Sequence, residues 1–241
     1  MTARTSVSAS NQQLPKVWTL EQSVAVLGPM INRLVFVSHH VTGLLVTDRA
    51  SLKLKPTFSV DAMVTAVSYS SRDRLTADLA RLGLQPDSAL HTPSGRWKTA
   101  DGATVELVPT DDTPRDAQHR WYEYALECTL AIPMGTHGVR VAGAPAFLAL
   151  RLAAFARREP AACEPNADLE DALAVLAGRP EVEQELAAAP REVRSFIGSQ
   201  LSELAGRPDA DSVLELHIPD AARFPALAVE SLERLRRLSA L

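Results

Sequence analysis

Cysteine, excess basic charge and long apolar runs are all scarce in this 241-residue chain. Its two cysteines, Cys128 and Cys163, are too few for a disulfide framework or a cysteine-rich metal site. The formal net charge of −4 excludes a strongly basic nucleic-acid binder, although a local basic groove is still allowed. No run of 18 apolar, uncharged residues exists, and residues 1–15 lack the apolar core of a signal peptide. We therefore expect a cytoplasmic protein without a membrane span.

The composition is that of a packed globular protein, with 46% hydrophobic and 22% charged residues. At roughly 150 residues per domain, the length predicts one large domain, or a core domain with a smaller lobe. Because the pattern changes from mixed to helical near residue 144, we predict three parts: a flexible tail over 1–18, an α/β core over 19–143 and a helical lobe over 144–241. The predicted fold class is α+β, with a small mixed sheet followed by helices.

Hydrophobic periodicity and turn signals predict the individual elements. In the first part we expect helices over 19–33, 39–48, 70–83 and 120–131, and strands over 34–37, 58–67, 96–98, 104–108 and 139–141. After residue 144 we expect helices over 145–158, 167–177, 180–188, 190–205 and 221–239, with one late strand over 213–218.

Polar residues that could carry chemistry fall on the first three long strand segments. Ser38-His39 follows the first strand at a turn into a helix, Asp61 lies in the second and Glu106 in the third. Ser59 shares a strand face with Asp61 because side chains alternate along a strand. Carboxylates at 61 and 106 could converge at one end of a small sheet. Beside a strand–turn–helix phosphate cradle, they would suit divalent-metal phosphoryl or nucleotidyl transfer.

The order of these motifs resembles the nucleotidyltransferase superfamily, and within it the AbiEii-type toxin family. That family has a strand, a Gly-Gly turn, a helix and an Arg-x-Thr-x-Asp-x-Asp strand. A third acidic strand, a helix bearing a lysine and an Asp-Leu-x-Asp helix start follow. The matching segments here are Lys55-x-Thr57-x-Ser59-x-Asp61, Val105-Glu106-Leu107, the helix around Arg151, and Asp168-Leu169-Glu170-Asp171. The resemblance spans residues 34–176.

Four positions depart from the family pattern: Ser38-His39 replaces Gly-Gly, Ser59 replaces the first aspartate, Glu106 replaces the third and Arg151 replaces the lysine. In the family, the two aspartates of the second strand hold two magnesium ions. A neutral serine hydroxyl is a poor magnesium ligand. The resemblance therefore implies an altered site that binds Mg²⁺ weakly or only together with nucleotide.

The resemblance also implies a role for each matched residue. Asp61 and Glu106 would be the catalytic, metal-binding residues. Ser38, His39, Ser59 and Arg151 would contact the nucleotide, and Asp168 and Asp171 would support them.

Two functions follow from this assignment, and a purely structural or protein-interaction role for the helical lobe stays open as a third. The first is an AbiEii-like nucleotidyltransferase that moves a nucleoside monophosphate from an NTP to an RNA, such as tRNA, or to a protein. It would act in a toxin or phage-defence context, with a cognate antitoxin as a partner. The second is a catalytically inactive protein of the same fold that binds a nucleotide, an anion or a partner.

Structural roles are open for several of the same residues. Ser38 is a good N-cap for the helix after it. Asp168 and Asp171, three residues apart at a helix start, could serve as caps and interact with the helix dipole. Arg151 could pair with either of these two acids rather than with an anion.

Overall fold

In the computed structural model of the chain, the described residues are 19–48, 59–64, 69–87, 95–100, 104–109, 119–157, 165–217, 233–234 and 237–238. The predicted tail over 1–18 lies outside them. Of the predicted helix over 221–239, only residues 233–234 and 237–238 are described, and these are helical.

A single mixed sheet organises the first part of the chain. Its strands are β1 (Leu34–Phe36), β2 (Ser59–Val64), β3 (Gln85–Pro86), β4 (Gly95–Lys98), β5 (Thr104–Pro109), β6 (Thr129–Met134) and β7 (His137–Ala142). They are ordered β3-β4-β5-β2-β1-β7-β6 across the sheet.

The central strand β1 brings three chain segments to the same end of the sheet. It runs antiparallel to β2, with Phe36 opposite Ala62, and parallel to β7, with Phe36 opposite Val141. Strand β5 runs parallel to β2. The end of β1 therefore lies beside the beginnings of β2 and β5. Every residue of β1 is buried. A strand that is covered on both faces is expected to carry a continuous apolar run rather than an alternating pattern, and β1 does.

Helices surround and follow this sheet. They are α1 (Leu20–Leu27), α2 (His39–Leu45), α3 (Tyr69–Arg81), α4 (His119–Glu127), α5 (Ala144–Ala156), α6 (Ala167–Gly178), α7 (Val182–Ala188), α8 (Arg191–Ala205) and α9 (Ala210–His217). A short 3₁₀ segment, Gly28–Arg33, joins α1 to β1.

Helix α5 is the centre of the packing between the sheet and the helical part. It begins directly after β7 and is buried on nearly all sides, and it contacts α4, α6, α7 and α8. Phe147 of α5 and Phe36 of β1 belong to one continuous hydrophobic core and are both fully buried. The predicted α+β class, a small mixed sheet followed by helices, is confirmed.

Two predicted elements are wrong. The predicted helix over 120–131 ends at Glu127, and residues from Thr129 onward form β6 instead. Strand β6 pairs with β7 in a hairpin, and the two-residue turn between them is made possible by Gly135 with φ of +59°. Hydrogen bonding to β7 thus overrides the helical pattern read from the sequence.

The second wrong element is the late strand predicted over 213–218, because residues up to 217 belong to α9. Val213, Leu214 and His217 are buried together, which is the i, i+1, i+4 spacing of a helix face. The imidazole Nδ1 of His217 also donates a hydrogen bond to the Val213 carbonyl, at 2.7 Å.

Candidate active site at the end of the central strands

The two predicted metal-binding acids occupy directly opposed positions on neighbouring strands. The backbone register of β2 and β5 places the Cα of Asp61 opposite that of Glu106. Phe36, two residues before Ser38, pairs with Ala62, which follows Asp61. Asp61, Glu106 and the turn from β1 into α2 therefore meet at one end of the sheet. The catalytic and metal-binding roles of the two acids remain predictions.

A basic residue continues the row formed by these acids. On the far side of β5, Arg96 of β4 lies opposite Glu106, so that Arg96, Glu106 and Asp61 form one row across three strands. Arg96 and Glu106 are half-buried, whereas their neighbours Trp97 and Val105 face the core. Sequence reasoning missed Arg96. Its position beside Glu106 depends on strand register, which the sequence does not show.

A second polar row lies next to the first. Lys98 of β4 is opposite Thr104 of β5, which is opposite Ser59 of β2. The Lys98 ammonium forms an ion pair with Asp87, with Nζ and Oδ1 separated by 2.7 Å. This cation is therefore already matched by a carboxylate of its own.

The turn between β1 and α2 is held mainly by its backbone. Ser38 takes the N-cap position of α2 as predicted and is fully buried, yet its hydroxyl makes no capping hydrogen bond. Its Oγ instead lies 3.5 Å from Nδ1 of His40. The predicted nucleotide contacts of Ser38 and His39 are not tested by this geometry.

Arg151 of α5 joins two helices and the end of β1. Its NH1 donates to Asp168 Oδ1 at 2.9 Å, and its NH2 donates to the carbonyl of Val37 at 2.7 Å. Its Nε lies 3.2 Å from Asp171 Oδ2, and its guanidinium sits over the ring of Phe147, 4.9 Å from the centroid. The pairing of Arg151 with both acids is the structural alternative that the sequence had left open. The predicted phosphate contact of Arg151 stays a prediction.

Asp171 is the most heavily contacted carboxylate of the site. Thr42 Oγ1 donates to its Oδ1 at 2.8 Å, and Nδ1 of His39 contacts the same oxygen. With Arg151 on Oδ2, the 1%-exposed side chain faces three donors from α2 and α5. A buried charge needs such partners. Asp171 therefore fixes the imidazole of His39 against α6.

The start of α6 is capped by a residue that sequence reasoning missed. The Asn166 side chain accepts hydrogen bonds from the backbone amides of Asp168 and Leu169, at 2.9 and 3.1 Å. The capping role considered for Asp168 and Asp171 is therefore taken by Asn166. An asparagine before an acidic first turn is a recognisable N-cap signal. The backbone N–H of Asn166 in turn donates to Nε2 of His217, at 3.0 Å.

Within the described part of the chain, no group of three or more His, Cys, Asp or Glu side chains could hold a metal ion.

The described helices also include none that is long and apolar enough to cross a membrane.

Comparison with known proteins gives one similar structure. No family model and no curated protein matches the chain. A crystal structure of an antigenic nucleotidyltransferase-like protein from Paracoccidioides brasiliensis is 20% identical, over 86% of this chain and 93% of that one, with a TM-score of 0.44. A TM-score below 0.5 does not establish a common fold.

Proposed function

We propose that this protein belongs to the nucleotidyltransferase superfamily and binds a nucleoside triphosphate at the end of β1, β2 and β5. The observation that carries the proposal is the direct opposition of Asp61 and Glu106 on parallel strands, beside the turn into α2. The reaction would transfer a nucleoside monophosphate from the NTP to an RNA or protein acceptor.

The order of the elements supports the same proposal. A buried strand leads through Ser38 into a short helix, and two strands carrying Asp61 and Glu106 follow. A helix bearing Arg151 comes next, and then a helix that begins with Asp168. This is the succession on which the family resemblance was based, and the contact between Arg151 and Asp168 brings its last two members together.

The donor set suits a single divalent cation better than a pair. Carboxylates are the preferred ligands of Mg²⁺, and Asp61 with Glu106 could hold one ion while water completes its coordination. Ser59, two residues before Asp61, supplies only a neutral hydroxyl. Bound there, Mg²⁺ would neutralise phosphate charge and orient the triphosphate.

A catalytically inactive nucleotide- or anion-binding protein is the second candidate. Ser59 at the position of a family aspartate favours it, because loss of one carboxylate weakens a metal site. The pairing of Arg151 with Asp168 and Asp171 favours it as well, since this guanidinium already serves two carboxylates. Binding without transfer would be the signature of this second function.

The AbiEii-type assignment, the toxin or phage-defence setting, the tRNA or other RNA acceptor and the antitoxin partner rest on the sequence resemblance alone. We propose them as the finer description of the first function. An upstream gene for a small antitoxin-like protein would support the toxin setting.

A binding and transfer assay tests both candidates. Calorimetry with a non-hydrolysable NTP and Mg²⁺ measures binding. Incubation with each radiolabelled NTP, Mg²⁺ or Mn²⁺ and total RNA measures transfer. Asp61→Asn and Glu106→Gln should each weaken Mg²⁺-dependent binding about tenfold or more, while Glu203→Gln on an exposed face of α8 should not.

The outcomes separate the two candidates. Label transferred to RNA or protein supports the enzyme, whereas binding without transfer supports the inactive protein. Absence of any nucleotide binding by the native chain contradicts both. Ser59→Asp should strengthen Mg²⁺ binding if position 59 lies at a metal site, and equal affinity would place it elsewhere.

A further inference from the structure

The charge of Arg151 is already matched inside the protein. Its fork reaches Asp168, Asp171 and the Val37 carbonyl, and its side chain is only 15% exposed. A triphosphate bound above Asp61 and Glu106 would bring several negative charges that need a cation of their own. Such a ligand therefore requires another basic group in the same row.

Arg96 has the right position for that group. It lies on β4, opposite Glu106, and Glu106 lies opposite Asp61. Directly opposed residues on adjacent strands lie at roughly 5 Å spacing, so Arg96 and Glu106 lie side by side on one face of the sheet. A phosphate held through a cation by these acids would lie within reach of a long arginine side chain from the next strand.

The guanidinium of Arg96 is also incompletely satisfied. Its Nε is buried and has no hydrogen-bond partner. A buried donor that makes no hydrogen bond costs about 1–3 kcal/mol of stability. Together with the place of Arg96 in the row beside Glu106, this unsatisfied donor points to a ligand.

Four other partly buried arginines among the described residues pair with a carboxylate: Arg151 with Asp168, Arg179 with Glu185, Arg207 with Asp209 and Arg234 with Glu183. On the neighbouring polar row, Lys98 pairs with Asp87. The Nε of Arg151 and that of Arg140 on β7 are also buried without a hydrogen-bond partner, and Arg140 NH2 lies 3.4 Å from the Asn32 carbonyl. Arg140, which is not in the row of Asp61 and Glu106, is therefore the matched comparison for Arg96.

We propose that Arg96 is the cationic contact for the phosphates of the bound nucleotide, an inference that rests on the proposed function. Its planar fork suits two phosphate oxygens at once, which a lysine ammonium does not match. In this arrangement Asp61 and Glu106 hold the cation, and Arg96 holds the phosphates on the β4 side. Arg151 keeps the helices and the turn in place.

The test measures the affinity of the full chain for two probes, each with Mg²⁺: a non-hydrolysable NTP and inorganic tripolyphosphate. Arg96→Ala should weaken both by about tenfold to a hundredfold, the range for a charge-assisted hydrogen bond. Arg96→Lys should recover part of the loss. Arg140→Ala, which removes a strand arginine with the same buried Nε from β7, should leave both affinities unchanged.

Thermal unfolding of the same variants separates a ligand contact from a structural one. The buried Nε of Arg96 has no hydrogen-bond partner in the fold. The melting temperature of Arg96→Ala should therefore equal that of the native chain or exceed it. If Arg96→Ala fails to fold, Arg96→Lys decides, and native affinity in that variant overturns the proposal. If the native chain binds the NTP and Arg96→Ala binds it equally, only the role of Arg96 is wrong. If the native chain binds neither probe, the proposed function itself fails.

Discussion

Replacement of Arg151 by alanine should be among the most damaging single changes in this chain. The side chains of Asp168 and Asp171 are 7% and 1% exposed, and Arg151 stands against both. Breaking a buried ion pair by removing one partner costs about 3–5 kcal/mol, because an uncompensated charge is left inside. The change also removes the bond to the Val37 carbonyl and the contact with Phe147. We therefore expect a loss at the upper part of that range.

Urea unfolding at neutral pH measures the loss as a fall in the midpoint at constant slope. Arg33→Ala is the matched control. It removes an arginine from the pair with Asp78, whose side chains are 44% and 31% exposed. A surface pair of this kind contributes about 0–1 kcal/mol. The loss of unfolding free energy in Arg151→Lys should lie between the losses in Arg151→Ala and Arg33→Ala. Lysine keeps the positive charge but lacks the planar fork of the guanidinium.

A second substitution checks the physical cause. In the Arg151→Ala background, Asp168→Asn removes one of the two buried carboxylates that have lost Arg151 and should restore part of the stability. In the native background, the same Asp168→Asn should lower stability. The double-mutant cycle should give a coupling energy of about 1–3 kcal/mol. A loss below about 1 kcal/mol for Arg151→Ala, or additive effects of the two changes, would refute the network as a source of stability.

Arg151→Ala also tests the phosphate contact predicted from the family resemblance. If Arg151 contacts the triphosphate directly, the variant should lose about 1.5–3 kcal/mol of NTP affinity, the range for a hydrogen bond to a charged group. If its role is confined to the two acids, the melting temperature should fall while the affinity of the remaining folded protein is retained.

Three further changes test the packing and charge of the surrounding structure. Gly143→Ala should lower the stability by about 1–3 kcal/mol, since the new Cβ would lie 2.9 Å from Cys128 Sγ. A lower melting temperature measures this loss. Asn166→Ala should cost about 1 kcal/mol, measured by urea unfolding, because two amides at the start of α6 lose their acceptor. The Arg237 guanidinium lowers the pKa of the Glu183 carboxyl, so this pair stabilises the fold above the ordinary glutamate pKa of about 4.3 and less as the pH falls. Glu183→Gln should flatten that part of the stability curve, by less than about 1 kcal/mol.

Much of the fold could be predicted because the local signals agree with the tertiary structure. Residues 34–36 form a continuous apolar run and become the buried central strand β1. The Ala- and Leu-rich segment after residue 144 becomes α5, as its length and composition indicated. By contrast, β6 depends on pairing with β7, since Leu130 lies opposite Val141. A stretch of sequence that ends before the hairpin turn includes no residue of β7 and so cannot predict this pairing.

The candidate site divides in the same way. The opposition of Asp61 and Glu106 could be anticipated because the order of the family motifs predicted that their two strands are neighbours. The pairing of Arg151 with Asp168 and Asp171 could be anticipated because the two helices follow one another closely. The contact between His39 and Asp171 joins residues far apart in the chain, and no sequence pattern indicated it. Arg96 escaped notice for a related reason, because its role depends on the register between β4 and β5.

The two arginines divide the electrostatics of this region between them. Arg151 lies among acids that are present whether or not a ligand is bound, so it contributes to the stability of the fold. In the proposal, Arg96 lies opposite Glu106 with a buried Nε that has no hydrogen-bond partner, and it would contribute mainly when the anionic ligand arrives. The row from Arg96 to Asp61 crosses β4, β5 and β2, whereas the Arg151 network joins the end of β1 to α2, α5 and α6. Since the two sets share no residue, changes to one should leave the main effect of the other intact. Under the proposal, the charges that hold the turn in place are thus separate from the charges that would meet the phosphates.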